Sequence, residues 1–138
     1  MKIAICGSMQ FTDKMLETQK ALENMGHTAF VSDFSGHYTG KTASQREDLK
    51  LHHKFEKDAI REYWEVIKTC DAILVLNYDK HGINNYIGGN TLMELGFAHV
   101  LHKKVFLLNP VPEIPYYKSE IIATKPVIIN GDLSKISD

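Results

Sequence analysis

The residue of this sequence best suited to carry out chemistry is Glu94, which lies one turn into an apolar segment. The turn before it consists of Gly88, Gly89, Asn90 and Thr91. Two glycines allow a tight bend and a close approach of the backbone to a ligand. A helix that begins there points free N–H groups into the adjacent cleft, which favours anions. A carboxylate on an apolar helix needs a reason, and nucleophilic or acid–base work is one.

The same spacing has a purely structural explanation. Thr91 and Glu94 stand in the positions of a capping box, in which the glutamate reaches back to the threonine N–H. Capping boxes are common, so the spacing alone leaves both explanations open. The two exclude each other in part, because a carboxylate tied to the helix end is less free to attack a substrate.

A second candidate binding element ends the first predicted strand, where Gly7 and Ser8 follow Cys6. A glycine and a hydroxyl at the carboxyl end of a strand suit a phosphate or a sugar, and an ordinary strand-to-helix turn is the alternative. The histidines show no set of further ligands at metal-binding spacing. We therefore expect solvated or core histidines, with no metal and no cofactor.

Hydrophobic periodicity predicts the elements that position these candidates. The predicted strands cover residues 2–6, 27–31, 72–76, 105–108 and 127–129. The predicted helices cover about 12–25, 45–69, 91–102 and 116–123, with Phe55 on the apolar face of the longest. Alternating strands and helices predict a single α/β domain over residues 1–138, a five-stranded parallel sheet in a flavodoxin- or Rossmann-like three-layer sandwich. Ligands bind such sheets beyond the carboxyl ends of the strands.

Composition narrows the class of partner. The 138 residues include 16 basic and 17 acidic side chains, which argues against nucleic acid or an anionic membrane as a partner held by bulk charge. No apolar stretch is long enough to span a bilayer, and no signal-peptide pattern is present. Cys6 and Cys70 form no CxxC motif and are expected to be buried thiols. These features predict a cytoplasmic protein with a small-molecule ligand.

Three segments resemble the nucleoside 2-deoxyribosyltransferase superfamily. They are residues 5–8 (ICGS), 70–75 (CDAILV) and 89–105 (GNTLMELGFAHVLHKKV). The third is the most specific, because a small-residue turn, a hydroxyl, a glutamate, a glycine, an alanine and a lysine follow in the order of the family's nucleophile segment. The CGS turn is closer to the branch that hydrolyses deoxynucleoside 5′-monophosphates than to the transferases.

The resemblance implies N-glycosidic bond chemistry on a nucleoside or nucleoside 5′-monophosphate. Glu94 would attack the anomeric carbon and release the base, and water or a second base would then cleave the glycosyl-enzyme. The residues that would line the sugar and phosphate are Gly7, Ser8, Gly88, Gly89, Asn90 and Thr91. The family needs no metal or organic cofactor, and it implies a homodimer or a larger homo-oligomer.

The chain departs from the family pattern at three positions. Gly88 replaces an aspartate used on the sugar 5′-hydroxyl, which suits a phosphate better. Tyr63 stands where the family has an aspartate that handles the leaving base, and Ala4 and Ile5 stand where it has a tyrosine. Glu62 is therefore the candidate for protonating the base.

Two other functions are compatible with these departures. One is a nucleotide sensor that uses the same pocket without turnover, and thermal stabilisation without product would favour it. The other is an interaction scaffold with a vestigial cleft, which predicts no response to any ligand.

Overall fold

The computed structural model describes residues 1–138 and contains one five-stranded sheet, all of whose strand pairs are parallel. The strands are β1 (Lys2–Cys6), β2 (Thr28–Phe30), β3 (Ala72–Val75), β4 (Lys104–Leu107) and β5 (Val127–Ile128). The helices are α1 (Thr12–Asn24), α2 (Ala43–Glu56), α3 (Ala59–Thr69), α4 (Gly89–Val100) and α5 (Lys118–Ala123). The predicted α/β class with five parallel strands is confirmed.

Each face of the sheet carries its own apolar core, which gives the predicted three layers. On one face, alternate strand residues pack against α3, α4 and α5, with Ile67, Leu95 and Ile121 fully buried. On the other face, the remaining strand residues pack against α1 through Met15 and Leu22. The near-continuous burial of β1 and β3 is typical of parallel strands covered on both faces. None of the helices has the length and apolar character that crossing a membrane requires.

The single long helix predicted for residues 45–69 is wrong. The chain breaks into α2 and α3 at Asp58, which adopts a left-handed conformation at φ 51° and caps α3 by accepting a hydrogen bond from the Arg61 N–H. Phe55 lies beyond the reach of the core as a result, with 74% of its surface exposed. Aspartate tolerates the left-handed region better than most residues. A break of this kind needs neither glycine nor proline.

The capping box that offered a structural explanation for the spacing of Thr91 and Glu94 is absent. Gly88 is the N-cap, α4 begins at Gly89, and no side chain caps this end of the helix. Thr91 is therefore inside the first turn and is buried. The true capping box of the chain is at α2, between Thr42 and Gln45.

The strand order β2-β1-β3-β4-β5 reverses direction at β1, so the connections leaving β1 and β3 run to opposite sides of the sheet. A crevice opens beyond the carboxyl ends of these two strands, as it does at the switch point of other open α/β sheets. The turn after β1 and the start of α4 both lie at this crevice.

Candidate active site

The turn after β1 brings the backbone unusually close to the neighbouring strand. Gly7 has φ +148°, and a Cβ there would lie 3.1 Å from the carbonyl oxygen of Leu76. Only glycine accommodates both constraints without strain. Ser8 follows and caps a short 3-10 turn by accepting a hydrogen bond from the Gln10 N–H at 3.2 Å. The Ser8 hydroxyl is thereby held at the carboxyl edge of the sheet.

Glu94 extends from α4 into a cavity, which we call the Glu94 cavity. Its walls come from the end of β1, the segment after β2, and α2, α3 and α4. The side chain is half-buried, and burial raises the pKa of its carboxyl to about 8. The nearby thiol of Cys6 opposes this by lowering the pKa. A carboxyl so placed is free of the helix end and faces an enclosed space.

Tyr63 lies beside Glu94 in the same cavity and is buried. Its hydroxyl donates to the carbonyl oxygen of Ile5 and lies 3.3 Å from that of Phe30, so it joins α3 to β1 and β2. Burial and the nearby acidic groups raise the pKa of Tyr63 well above its usual range. With its proton engaged by backbone, Tyr63 serves as a wall of the cavity and not as a proton donor.

A shallower cleft adjoins the Glu94 cavity, and we call it the lysine cleft. It is lined by Ser8 and Gly7, by the start of α4, and by three lysines, Lys50, Lys54 and Lys80. Lys50 and Lys54 line the Glu94 cavity as well, so the two spaces are continuous. Glu47 is the only carboxylate paired with these lysines, at 2.8 Å from Lys50.

The lysine cleft is built to receive an anion. Lys80 donates to the Ser8 hydroxyl at 2.8 Å, and its pKa is lowered by burial and by the charge of Lys50. The first N–H groups of a helix have no partners within the helix, and at α4 no side chain supplies one. Gly88 leaves room here, because a Cβ would contact the Tyr86 ring at 3.1 Å. The start of α4, the Ser8 hydroxyl and the three lysines thus all face the same small space.

Aromatic side chains from the segment after β2 and from α2 form the far wall of the Glu94 cavity. Phe34 stacks on His53 with ring centroids 4.1 Å apart and an interplanar angle of 13°. Tyr38 is almost fully buried, and its hydroxyl lies 2.9 Å from His53 Nδ1. With Ile60 and Phe97, the ring of Phe34 offers a flat apolar ligand a surface for stacking, and the buried rings of Tyr38 and His53 support it from behind.

The structure brings together nearly all of the predicted site residues. Gly7, Asn90 and Glu94 line the Glu94 cavity, and the others that line the lysine cleft are Ser8, Gly88, Gly89 and Thr91. Glu62 lines neither space. Its carboxyl lies against Asp33, and burial together with this neighbour raises its pKa.

The lysines and the aromatic wall were not predicted from the sequence. Lys80 had the better signal, since it lies in the polar segment that follows β3 at the carboxyl edge of the sheet. Lys50 and Lys54 lie one turn apart on α2, a pattern that also describes an ordinary solvated face. No three side chains of His, Cys, Asp or Glu come together as a metal site would require.

Comparison with known proteins supports the fold. The CMP N-glycosidase BcmB of Clostridium botulinum superimposes with a TM-score of 0.51 at 17% identity, covering 94% of this chain and 90% of that one. A 2-deoxyribosyltransferase of Bacillus psychrosaccharolyticus gives a TM-score of 0.49 at 20% identity, covering 78% of this chain and 71% of that one. No protein-family model matches the sequence, and no curated protein matches it. The resemblance seen in the sequence is thus confirmed at the level of the fold.

Proposed function

We propose that this chain breaks the N-glycosidic bond of a nucleoside 5′-monophosphate through Glu94 and passes the sugar phosphate to water or to a second base. The observation that carries the proposal is the continuity of the two spaces. A carboxyl free of the helix end faces a cavity with a stacking wall, and that cavity opens into a cleft with three lysines. The stacking wall suits the base, the carboxyl faces the sugar, and the lysines suit the phosphate.

The reaction follows from this placement in two steps. The Glu94 carboxylate attacks the anomeric carbon while the bond to the base nitrogen breaks, and the electron pair leaves with the base. Water or an incoming base then attacks the same carbon and releases the carboxylate. Double displacement restores the original configuration of the sugar. The shared fold with a CMP N-glycosidase supports the reaction class.

The phosphate is the part of the substrate for which the support is most direct. Lys80, Ser8 and the uncapped start of α4 offer cationic and N–H donors where the family's transferases are expected to carry a carboxylate. A carboxylate at position 88 would repel a phosphate, and the glycine found there removes that charge. Cytoplasmic location and assembly into a homodimer or larger homo-oligomer stay predictions.

Base release is the test of the proposed function. The common ribo- and deoxyribonucleoside 5′-monophosphates and the matching nucleosides are incubated with the wild-type chain, and free base is quantified by chromatography. We expect release from at least one monophosphate, and loss by at least about 10³-fold in Glu94→Gln, because no covalent step remains. Glu65→Gln is the control, since Glu65 is an exposed glutamate paired with Lys68.

Trapping adds a direct readout. Rapid acid quench followed by peptide mass spectrometry should find a pentosyl phosphate adduct on the peptide that contains Glu94. Base release that persists in Glu94→Gln, or an adduct on another residue, would remove Glu94 from the mechanism.

A further inference from the structure

Departure of the base requires a proton, and the structure offers a path for one through a chain of three side chains. His37 is exposed to solvent, and its Nδ1 lies 3.3 Å from Nε2 of His53. His53 Nδ1 in turn lies 2.9 Å from the hydroxyl of Tyr38. Both His53 and Tyr38 line the Glu94 cavity. These hydrogen bonds therefore form a continuous path from bulk water to the Glu94 cavity.

The burial of His53 and Tyr38 distinguishes these hydrogen-bonded side chains from an ordinary surface cluster. His53 and Tyr38 retain only 4% and 1% of their surface exposed, so water reaches neither readily. Both ring nitrogens of His53 are engaged, one by Tyr38 and one by His37. The stacked ring of Phe34 fixes the plane of the imidazole. A histidine with two ordered partners is oriented to pass a proton from one nitrogen to the other.

We propose that Tyr38 donates the proton to the leaving base and that His53 and His37 resupply it from solvent. This inference rests on the proposed function. As the bond between the anomeric carbon and the base nitrogen breaks, the electron pair stays on the base and takes the Tyr38 hydroxyl proton. The Tyr38 oxygen takes a proton from His53 Nδ1, His53 Nε2 takes one from His37 Nδ1, and His37 takes one from water. The net change is one proton moved from solvent to the base.

The protonation states of the three groups agree with this role. Burial and the charge of Glu47 raise the pKa of Tyr38 to about 12, so the hydroxyl keeps its proton at neutral pH. Burial and the neighbouring groups His37, His52 and Lys57 lower the pKa of His53, which therefore stays neutral between transfers. A neutral imidazole has one donor and one acceptor nitrogen, as a relay requires.

The relay competes with Glu62 for the same task. The structure places Glu62 outside the lining of the Glu94 cavity, whereas Tyr38 and His53 are within it. Tyr63, which occupies the position of the family's aspartate, has its hydroxyl proton engaged by Ile5. Among hydroxyl groups in the cavity wall, Tyr38 is the one connected to solvent through titratable side chains.

A change of leaving group separates a proton donor from a residue that only supports the fold. Two substrates are compared: the natural nucleoside 5′-monophosphate that the wild-type chain cleaves fastest, and the same sugar phosphate bearing 4-nitrophenolate. The second leaving group departs without a proton. We expect Tyr38→Phe to slow base release by roughly 10²-fold or more and to change nitrophenolate release by only a few fold.

Three further variants keep the proposal testable if Tyr38→Phe fails to fold. His37→Gln removes the solvent end of the relay from an exposed position and should slow base release selectively. His99→Gln is the control, because His99 is an exposed histidine in the last turn of α4 and lines neither the Glu94 cavity nor the lysine cleft. Glu62→Gln is measured on the same pair of substrates.

The outcomes are distinguishable. Equal losses on both substrates in Tyr38→Phe and His37→Gln overturn the relay but leave the proposed function intact. A selective loss confined to Glu62→Gln assigns the proton to Glu62 and also overturns the relay. If the wild-type chain releases neither base nor nitrophenolate, the proposed function fails, and the relay fails with it.

Discussion

In the proposed reaction the carboxyl of Glu94 must lose its proton before it attacks the sugar, and its surroundings oppose that loss. Burial raises the pKa of Glu94 to about 8, and only the Cys6 thiol acts in the other direction. The lysines of the adjoining cleft supply positive charge to the crevice, and in the proposed reaction they would stabilise the phosphate of the substrate. The raised pKa therefore leaves both the protonated and the ionised form of the carboxyl accessible near neutral pH, as is common for catalytic carboxylates.

This raised pKa couples the stability of the fold to pH. Between the ordinary glutamate pKa of 4.5 and a value of about 8, the folded chain holds a proton that the unfolded chain has released. The contribution of Glu94 to stability is thus fully present below the lower pKa, and it is lost as pH rises toward the upper one. Each unit of difference corresponds to about 1.4 kcal/mol, and access of water to the half-buried side chain reduces the total.

Glu94→Gln should remove this dependence, because an amide does not ionise. We expect the Tm of wild type to fall relative to that of Glu94→Gln as pH rises from about 5 to about 9, and the gap to level off above that range. Thermal unfolding followed by circular dichroism measures it. Glu17→Gln, at a largely exposed position on α1, should run parallel to wild type. Parallel curves for Glu94→Gln and wild type would contradict the raised pKa.

At the scale of elements, α2 is the unusual one, because it contributes to the site without belonging to either core. It supplies Lys50, His53 and Lys54 to the site. One of its attachments is Arg46, which is 7% exposed and donates to the carbonyl oxygens of Lys41 and Gln10. Through the second of these bonds, a buried guanidinium joins α2 to the turn that follows β1.

Removing that attachment should loosen α2. Arg46→Ala leaves the Gln10 carbonyl without its donor and breaks the ion pair with Asp13, for which we expect a loss of about 1–3 kcal/mol in the free energy of unfolding. The KM for the 5′-monophosphate should rise several fold more than kcat falls, because phosphate contacts from α2 are weakened. Denaturant unfolding and steady-state kinetics measure the two effects.

Arg61→Ala is the matched control for Arg46→Ala, since the Arg61 side chain is 79% exposed and its ion pair with Asp58 lies within one turn of helix. Surface pairs of this kind contribute about 0–1 kcal/mol. If the two arginine variants behave alike, α2 is held by other contacts and Arg46 has no positioning role.

The boundary between α2 and α3 shows how much of the fold could be predicted from the sequence. Strand positions and the parallel sheet were predicted because continuous apolar runs such as residues 72–75 have few alternatives. The break between α2 and α3 was missed because the apolar spacing continues across it and Asp58 carries no strong signal for a left-handed residue. The local sequence pattern predicts the type of an element more reliably than the residues at which the element begins and ends.

The candidate site shows the same division between local and tertiary information. Glu94 and the turn at Gly7 were predicted, because their types and spacing are local. The meeting of Lys50 with Lys80, or of Tyr38 with His53, depends on how α2 and the segment after β2 fold over the sheet. Contacts between residues so far apart in sequence follow from the packing of whole elements. No local spacing of residue types predicts them.

At the scale of the whole molecule, a nearly neutral chain concentrates positive charge at one crevice. The formal net charge is −1, yet the switch point between β1 and β3 faces three lysines and the start of α4. Elsewhere, lysines such as Lys14, Lys68 and Lys118 are paired with glutamates. The local field therefore selects an anionic ligand, although the overall charge does not.

A ligand that binds only the folded state stabilises it by mass action, about 2.7 kcal/mol at a hundred times Kd. In the Glu94→Gln background, which prevents turnover, we expect a nucleoside 5′-monophosphate to raise Tm more than the matching nucleoside does. Lys80→Met should remove that difference, because it removes the lysine bonded to Ser8. Lys20→Met, at an exposed position on α1, should preserve it.

Equal stabilisation by nucleoside and monophosphate would contradict a phosphate site in the lysine cleft. Stabilisation by the monophosphate, together with no base released by the wild-type chain, would instead identify a nucleotide sensor. The two measurements separate binding from turnover because Lys80 lines only the lysine cleft, whereas Glu94 lines only the cavity beside it. A chain that binds through the first and cleaves through the second must respond to both substitutions, each in its own assay.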